Sequence, residues 1–538
     1  MDKVIKKIQT EIEKYIKAQG ISFNEEIVFE RSKELKFGDY STNVSFRLAK
    51  LLHASPQVIA TGIKDWLIKG HLDILNIEIV GGYLNFFFTP EAYLRVLDSV
   101  KTGELFTFPK TNKRILIESV SANPTGLLHV GHGRGAAYGD SLARLLKLAG
   151  NMVTTEYYVN NAGNQIDNLA KSVLLRYREL NKEKVEFTDE LYHGEEIIEV
   201  AKKLDPQKMK TLHETELIDY IKEFASELLL NEIKKDLLNF HVTFDNYFYE
   251  TSLYKTGKVK EVLEKLKKTG DTYIEEGALF FKATKYGDEK DRVLVKSDGS
   301  YTYLLPDVAY HIDKLERNYD EVINVFGADH HGYMTRLVGA VKSLGYPGER
   351  IKFAILQMVR ILSDGVEIKQ SKRSGLAVSL REIMEEVNSD ALRFLYSEKA
   401  LSSQMDLDLK KALEKTNENH VYYIQYAHAR ICSLLKQKNY DLKKVKPSVS
   451  TVMEFREASL LVNDLHSLIL EASKERAPYK LSSYLLSLAN FIHSYYGSTR
   501  IITSDEEKSK ERLYILNNLK EVLKKTLEIL GVNALEEM

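Results

Sequence analysis

Residues 118–150 read ESVSANPTGLLHVGHGRGAAYGDSLARLLKLAG. The preceding run, from Arg114 to Val120, is rich in Ile and Leu and predicts a buried strand. Asn123-Pro124-Thr125-Gly126 carries strong turn chemistry. From about Gly133 the spacing of Leu142, Leu145, Leu146 and Ala149 predicts a helix, with Gly150 as its stop. His129, Gly131 and His132 fall at the junction of loop and helix in an H-x-G-H pattern. A strand, a turn and a helix N-terminus make an anion site, because free backbone N–H groups and the helix dipole point at it together. Two imidazoles there add donors for a phosphate. The competing reading is two histidines that cap or pack the helix start.

Downstream the chain alternates between strand and helix signals, which predicts a parallel sheet in an α/β, Rossmann-like domain over 107–385. Thr154–Val159 is β-prone. A charged, mainly helical region then interrupts the alternation from about Gly163 to Gly270 and reads as an insertion reaching about 290. Its lysine run, Lys255 to Lys268, suits a solvated helix face. The alternation resumes near Val293. Tyr301–Leu305 reads as strand, and Pro306-Asp307 as a helix start. Glu321–Phe326 is a strand signal that runs into Gly327-Ala328-Asp329-His330-His331-Gly332 and a helix to Leu344. Polar groups at a strand's C-terminal end lie where ligands bind in open α/β sheets. Ile351–Leu362 reads as one strand, turned by Ser363-Asp364-Gly365 into Val366–Ile368. A strongly basic loop follows, Lys369-Gln370-Ser371-Lys372-Arg373-Ser374-Gly375. Seen alone it fits a solvated turn. Ser379 with Glu382 forms a capping-box signal for the next helix.

Two further units flank this domain. Residues 1–106 predict a small α+β domain. Val4, Ile5, Ile8, Ile12, Tyr15 and Ile16 form a helical stripe, further helices cover about Asn43–His53 and Pro56–Lys69, and Gly81-Gly82 joins a hairpin. Residues 386–538 are helix-periodic throughout and predict an all-α domain. With 538 residues and 44% hydrophobic content, large cores are available to each unit. The net charge of −1 does not advertise nucleic acid, though a local basic patch suffices for binding it. The single cysteine, Cys432, excludes an internal disulfide and a cysteine-built zinc site, and its apolar helical setting suits a core position. The N-terminus lacks the apolar core of a secretory signal, and no apolar run approaches the ~20 residues of a membrane helix. A cytoplasmic protein is expected.

Taken together, these motifs carry a family resemblance. H-x-G-H early in a nucleotide-binding domain and Lys-x-Ser-Lys after its last strands resemble the class I aminoacyl-tRNA synthetases. The finer pattern resembles the arginyl-tRNA synthetases: ANPTGLLHVGH at 122–132, SDALRFLY at 389–396, FGDYSTN at 37–43 and the terminal LGVNALEEM. The resemblance covers nearly the whole chain in the right domain order. It implies an arginine–tRNA ligase that takes ATP with Mg²⁺, L-arginine and tRNA(Arg) and forms an arginyl-adenylate. It further implies a monomer, an N-terminal domain that contacts the tRNA elbow, an anticodon-binding C-terminal domain, and activation that needs bound tRNA. Gln370 stands where the family usually has methionine.

Chemistry agrees with that expectation. Adenylation is an in-line attack of a carboxylate on the α-phosphorus of ATP, so it needs charge stabilisation and positioning. His129, Gly131 and His132 would bind ATP, Lys369 and Lys372 would neutralise departing pyrophosphate, and Ser371 would support their loop. Met358 and Val359 are placed to meet adenine through backbone groups. An arginine side chain demands carboxylates, because guanidinium is planar, always charged and best held in bidentate fashion. By resemblance Glu118, Asn123, Tyr303, Asp307 and Asp329 are the candidates. Asp307 and Asp329 also suit helix N-caps, and Glu118 suits a buried pair with an arginine such as Arg134. Asp329-His330-His331 suggests a metal only weakly, since adjacent loop residues rarely converge on one ion; no metal site is expected. For tRNA, Tyr40 in the N-terminal unit and Tyr422, Tyr423, Tyr426, Arg430, Tyr495, Tyr496 and Arg500 in the C-terminal unit combine aromatic and basic groups, although a helical aromatic stripe is more often core. Two rivals are a small-molecule nucleotidyltransferase, which has no need of the helical C-terminal unit, and a non-catalytic tRNA-binding paralogue, against which the intact histidines and lysines argue.

Overall fold

A computed structural model describes residues 2–70, 72–328, 331–363, 365–368, 378–414, 416–438 and 440–538. The N-terminal stripe forms α1 (Asp2–Ala18), whose Val4, Ile8, Ile12 and Ile16 are buried. It packs with α2 (Val44–Leu52) and α3 (Pro56–Ile68) over an antiparallel sheet of order β1-β2-β4-β3. Its strands are β1 (Glu30–Arg31), β2 (Tyr40–Thr42), β3 (Ile74–Val80) and β4 (Tyr83–Phe88), the last two joined as the expected Gly81-Gly82 hairpin. Helix α4 (Pro90–Lys101) leads out of this unit.

The central sheet is parallel, as the alternation predicts. Its strands are β5 (Arg114–Glu118), β6 (Met152–Val159), β7 (Asn246–Tyr249), β11 (Glu321–Gly327) and β12 (Ile351–Leu356), in the order β12-β11-β5-β6-β7. The chain winds outward from β5 through α5 (Val130–Leu148) to β6 and β7, then returns to the other side of β5. That reversal opens a crevice beyond the C-terminal ends of β5 and β11, where doubly wound sheets bind ligands. Helix α5 lies close over the end of β5 because Gly139 has no side chain; a Cβ there would sit 2.3 Å from Ser119 Oγ.

Strand β7 was not legible in the sequence. Its four residues, Asn-Tyr-Phe-Tyr, follow the helical excursion α6 (Asn164–Leu180), α7 (Glu195–Lys202), α8 (Pro206–Thr211) and α9 (Glu214–Asn239), which has its own core. After β7 come α10 (Glu250–Lys255), α11 (Lys258–Lys268) and the antiparallel strands β8 (Thr272–Glu275), β9 (Ala278–Phe281) and β10 (Arg292–Val295). Tyr301–Leu305 is not a strand. Tyr301 makes one isolated bridge to Val295, and α12 (Leu304–Glu316) has already begun before Pro306. Helix α13 (His331–Ser343) follows β11. Nor is Ile351–Leu362 one strand. It breaks at Gln357-Met358, so β12 joins the central sheet while β13 (Val359–Ser363) pairs with β14 (Val366–Glu367) and β15 (Met405–Asp408).

Helices α14 (Leu380–Glu386), α15 (Ser389–Tyr396), α16 (Leu409–Leu413), α17 (His420–Gln437), α18 (Val449–Glu454), α19 (Arg456–Glu475), α20 (Tyr479–Ser498) and α21 (Glu506–Ile529) complete the chain, but 386–538 is not wholly helical as expected, since β15 lies within it and is extended by its parallel pairing with β13. The expected Ser379–Glu382 capping box opens α14. Cys432 is buried on α17.

The Asp390-Ala391-Leu392-Arg393 motif is a clasp. Arg393 is fully buried and donates to the Leu530 carbonyl (3.0 and 2.9 Å), the Phe240 carbonyl (3.0 Å) and Asp140 of α5 (2.5 Å). Asp390 accepts from the Asn533 backbone N–H at 3.0 Å. The last turn of the chain is thereby tied to the helix that carries the two histidines. Gly531, at φ +67°, leaves room for the guanidinium, since a Cβ would lie 2.1 Å from Nη2. Arg393→Met leaves Asp140 with Arg144 alone, strips the buried Phe240 and Leu530 carbonyls of their charged donor, and is expected to destabilise by about 3 kcal/mol. A lowered denaturant midpoint checks it; an unchanged midpoint would contradict the clasp.

Candidate active site

The crevice beyond β5 and β11 is a cleft of about 1030 Å³. It brings together Glu118, Asn123, His129, Gly131, His132, Tyr303, Asp307, Met358 and Val359, which are nine of the sequence-predicted residues. Asp329, Lys369, Ser371 and Lys372 lie outside the described residues.

His129 is the N-cap of α5 and His132 its third residue. The His129 Nδ1 accepts from the Gly131 N–H at 3.1 Å, and the His132 Nδ1 accepts from the His129 N–H at 3.2 Å. The rings stack at 3.6 Å. Two histidines thus build the capping box that Ser and Glu more often make. The capping reading and the phosphate reading are therefore compatible. An Nδ1 that accepts is unprotonated, so a neutral ring carries its proton on Nε2 and presents a donor there. Desolvation in the cleft lowers the pKa of His129, although its side chain is exposed, and together with His129 brings His132 to about 3. The turn offers uncharged donors at a helix N-terminus.

At the other end of the cleft the carboxylates gather. Helix α12 is clamped to β6 by Arg317, which donates to both oxygens of Glu156 at 2.6 and 2.8 Å, and by the Tyr310 hydroxyl at 2.7 Å. This sets Asp307, in the first turn of α12, on the cleft wall. Asp307 is not the N-cap; Tyr303 holds that position, and its side chain makes no capping bond. The Asp307 carboxylate accepts instead from the Tyr333 hydroxyl of α13. Burial pushes its pKa up to about 7, the Tyr333 bond opposes this, and Glu118 and Glu250 raise it further. Tyr303 is 62% exposed at the cleft mouth.

The competing reading of Glu118, a buried pair with an arginine such as Arg134, has the wrong partner. Glu118 pairs with Lys314, a fully buried lysine of α12 that also donates to Asn324 at 2.7 Å. Arg134 binds backbone carbonyls instead. The other Glu118 oxygen accepts from Ser121 at 2.8 Å, and Ser121 Oγ in turn accepts from the Tyr158 N–H at 3.1 Å. Val120 and Ser121 both have positive φ, +68° and +43°. A β-branched residue rarely adopts that conformation, and such strain concentrates at functional sites. Asn123 donates to Gln165.

Several contributors carried no signal in the sequence. Glu250, at the start of α10, is 6% exposed; burial raises its pKa, and it lies near enough to act on Asp307. Lys314 and Tyr333 belong to no motif and are brought here only by tertiary packing. Among the described residues, no group of three or more His, Cys, Asp or Glu could hold a metal ion.

The candidate tRNA residues divide. Tyr40 is corrected to a core position: it is 5% exposed, bonds Asp464 and accepts from Asn463 of α19 at 2.8 Å, joining the first unit to the last. Tyr495 is likewise core, donating to Glu454 at 2.7 Å. Tyr422, Tyr423, Tyr426 and His493 form a continuous ring cluster on α17 and α20. Arg430 lies over both Tyr426 (4.3 Å) and Tyr496 (4.6 Å). Tyr496 and Arg500 are exposed.

Three family models match the chain: "Arginyl tRNA synthetase N terminal domain" over residues 2–88, "tRNA synthetases class I (R), catalytic domain" over 98–435, and "DALR anticodon binding domain" over 424–538. Curated relatives include arginine–tRNA ligase 1 of Halalkalibacterium halodurans, 41% identical over all of both chains. The arginine–tRNA ligase of Bacillus subtilis is also 41% identical, over 95% of this chain and 94% of its own. Among solved structures, a putative arginyl-tRNA synthetase of Campylobacter jejuni superposes with a TM-score of 0.77 at 33% identity, covering 84% of this chain and 99% of that one. The Thermus thermophilus arginyl-tRNA synthetase shares the fold over 99% and 100% of the two chains, with a TM-score of 0.76 at 24% identity. A family-wide match of this extent excludes the small-molecule nucleotidyltransferase reading. The chain belongs to the arginyl-tRNA synthetase family, the class I arginine–tRNA ligases.

Proposed function

We propose that the cleft activates L-arginine with ATP and transfers it to tRNA(Arg), with the labour divided along its length. The arginine carboxylate attacks the α-phosphorus of ATP, the bond to the bridging oxygen breaks, and pyrophosphate leaves. His129 and His132 donate from Nε2 to the phosphates, assisted by the Gly131 N–H and the start of α5. Lys369 and Lys372, supported by Ser371, meet the charge that develops on pyrophosphate. Met358 and Val359 line the adenine end. Asp307, with Glu118, Tyr303 and Asp329, reads the arginine side chain, while Asn123 orients the substrate's ammonium or carboxylate. The adenosine 2′-hydroxyl at the tRNA 3′ end then attacks the mixed anhydride, releasing AMP. Mg²⁺ accompanies ATP as its counter-ion.

The observation that carries this reading is the polarity of one cleft. Neutral donors at a helix N-terminus stand at one end and the carboxylates Glu118 and Asp307 at the other, with Glu250 near enough to raise the Asp307 pKa. Such a cleft suits a polyphosphate and a cation together. Residues 1–106 serve the tRNA elbow, 107–385 the chemistry and 386–538 the anticodon, where Tyr423, Tyr426, Arg430, Tyr496 and Arg500 offer stacking faces and charge. Activation waits for tRNA, and the working form is a cytoplasmic monomer. ATP–pyrophosphate exchange with each of the twenty amino acids, with and without tRNA, tests the reading. Exchange is expected with arginine alone and only with tRNA present. Exchange driven by lysine would overturn it.

A further inference from the structure

Arg134 lies two residues beyond His132 on α5 and is 1% exposed. Its guanidinium has no carboxylate partner among the described residues. Nη1 donates to the Gln357 carbonyl at 3.1 Å and Nη2 to the Ala400 carbonyl at 2.8 Å, while Nε makes no hydrogen bond. A buried cation held only by neutral carbonyls is a costly way to join two loops, since desolvation of the charge is met by no opposite charge. An apolar residue would pack the same interface at less cost. The position of the two carbonyls explains the choice.

Gln357 is the first residue of the break between β12 and β13, and Met358 and Val359 follow it along the cleft. The break is held from its other side as well. The Gln357 N–H donates to the Leu401 carbonyl at 3.1 Å, and the Met405 N–H donates to the Met358 carbonyl at 3.3 Å. One planar fork on the histidine-bearing helix therefore fixes both the break and the loop that backs it. The same helix is tied to that region again by Tyr396, whose hydroxyl donates to the Val130 carbonyl at 2.9 Å.

We propose that Arg134 is a positioning residue for ATP, setting the distance between the His129–His132 turn and the backbone bend at 357–359 that receives the adenine. The inference rests on the placement of adenine at that bend. Arg134 touches no substrate and acts through Gln357. Lysine keeps the charge but has no fork to span two carbonyls.

The test is steady-state pyrophosphate exchange of the full-length enzyme with tRNA present, comparing wild type, Arg134→Lys and Arg134→Met. KM for ATP is expected to rise about tenfold in Arg134→Lys, as two charge-assisted hydrogen bonds are weakened, with KM for arginine unchanged. Adenosine and inosine, used as competitive inhibitors, separate the two premises. Wild type should bind adenosine better than inosine, and Arg134→Lys should lose that preference. Equal inhibition of wild type by both nucleosides would overturn adenine at the bend and the proposal with it. A preference present in wild type and kept in Arg134→Lys, with KM for ATP unmoved, would overturn the role of Arg134 alone. So would equal rises in both KM values, the mark of a merely structural residue. Should Arg134→Met fail to fold, Arg134→Lys decides.

Discussion

Asp307→Ala is expected to raise KM for arginine by about two to three orders of magnitude in pyrophosphate exchange, with KM for ATP within about threefold of wild type. Truncating one partner of a buried, hydrogen-bonded charge pair costs about 2–5 kcal/mol, and each 1.4 kcal/mol is tenfold. The loss falls on arginine because Asp307 stands at the carboxylate end of the cleft, held by Tyr333 and away from the phosphate-binding turn. A pH signature accompanies it. Burial and the neighbouring carboxylates Glu118 and Glu250 raise the Asp307 pKa to about 7, against the pull of Tyr333 and Lys314. Below that pH the free enzyme carries a neutral acid that attracts no cation. KM for arginine should therefore fall as pH rises toward 7 and level off above it, by up to about tenfold per unit on the acid side. Asp307→Asn should flatten this profile. Equal loss for both substrates, or an unchanged profile in Asp307→Asn, would mean that Asp307 only supports α12.

His132→Ala is expected to lower kcat for arginyl-adenylate formation by about 10²–10³-fold, the usual effect of deleting one preorganised donor to developing charge. Part of any alanine effect is loss of the cap, because His132 Nδ1 accepts the His129 N–H. His132→Gln separates the two, since its amide oxygen can still accept from the cap while its NH₂ approximates the donor. The account expects Gln to restore thermal stability fully and activity in part. It also expects no ionisation from His132 in the kcat profile above pH 5, because burial lowers its pKa to about 3. A kcat that falls through a pKa near 6.5 and loses this step in His132→Gln would show that a charged imidazole is used.

Much of the site was legible because it lies on local signals. The strand–turn–helix around His129, the Gly81-Gly82 hairpin and the Ser379 capping box rest on spacing within a few residues, the parallel sheet on the alternation of strand and helix signals, and the structure has them. What was misread depends on contacts across the chain. Strand β7 is too short to show a period and exists because β6 offers it an edge. The start of α12 was set late because Pro306 marks a first turn without saying which position of that turn it fills. A buried partner for Glu118 is foreseeable from the sequence only as a nearby arginine such as Arg134, whereas Lys314 arrives from 196 residues away. Tyr40 looked like an exposed aromatic in a polar loop, and only the docking of α19 makes it core. The strained backbone at Val120 and Ser121 has no composition signal at all.

The central claim is that carboxylates in this cleft read the charge of a guanidinium. Citrulline has nearly the same shape as arginine and replaces one nitrogen of the guanidinium by oxygen, leaving it uncharged. The most direct measurement is kcat/KM for arginine and for citrulline in tRNA-dependent pyrophosphate exchange, with wild type and Asp307→Asn side by side. The account predicts that wild type favours arginine by at least about 10³-fold, as expected where a buried charge would be left unpaired, and that Asp307→Asn removes most of this preference by losing arginine rather than gaining citrulline. A preference that survives intact in Asp307→Asn would contradict the assignment of the cleft's carboxylate end to the arginine side chain.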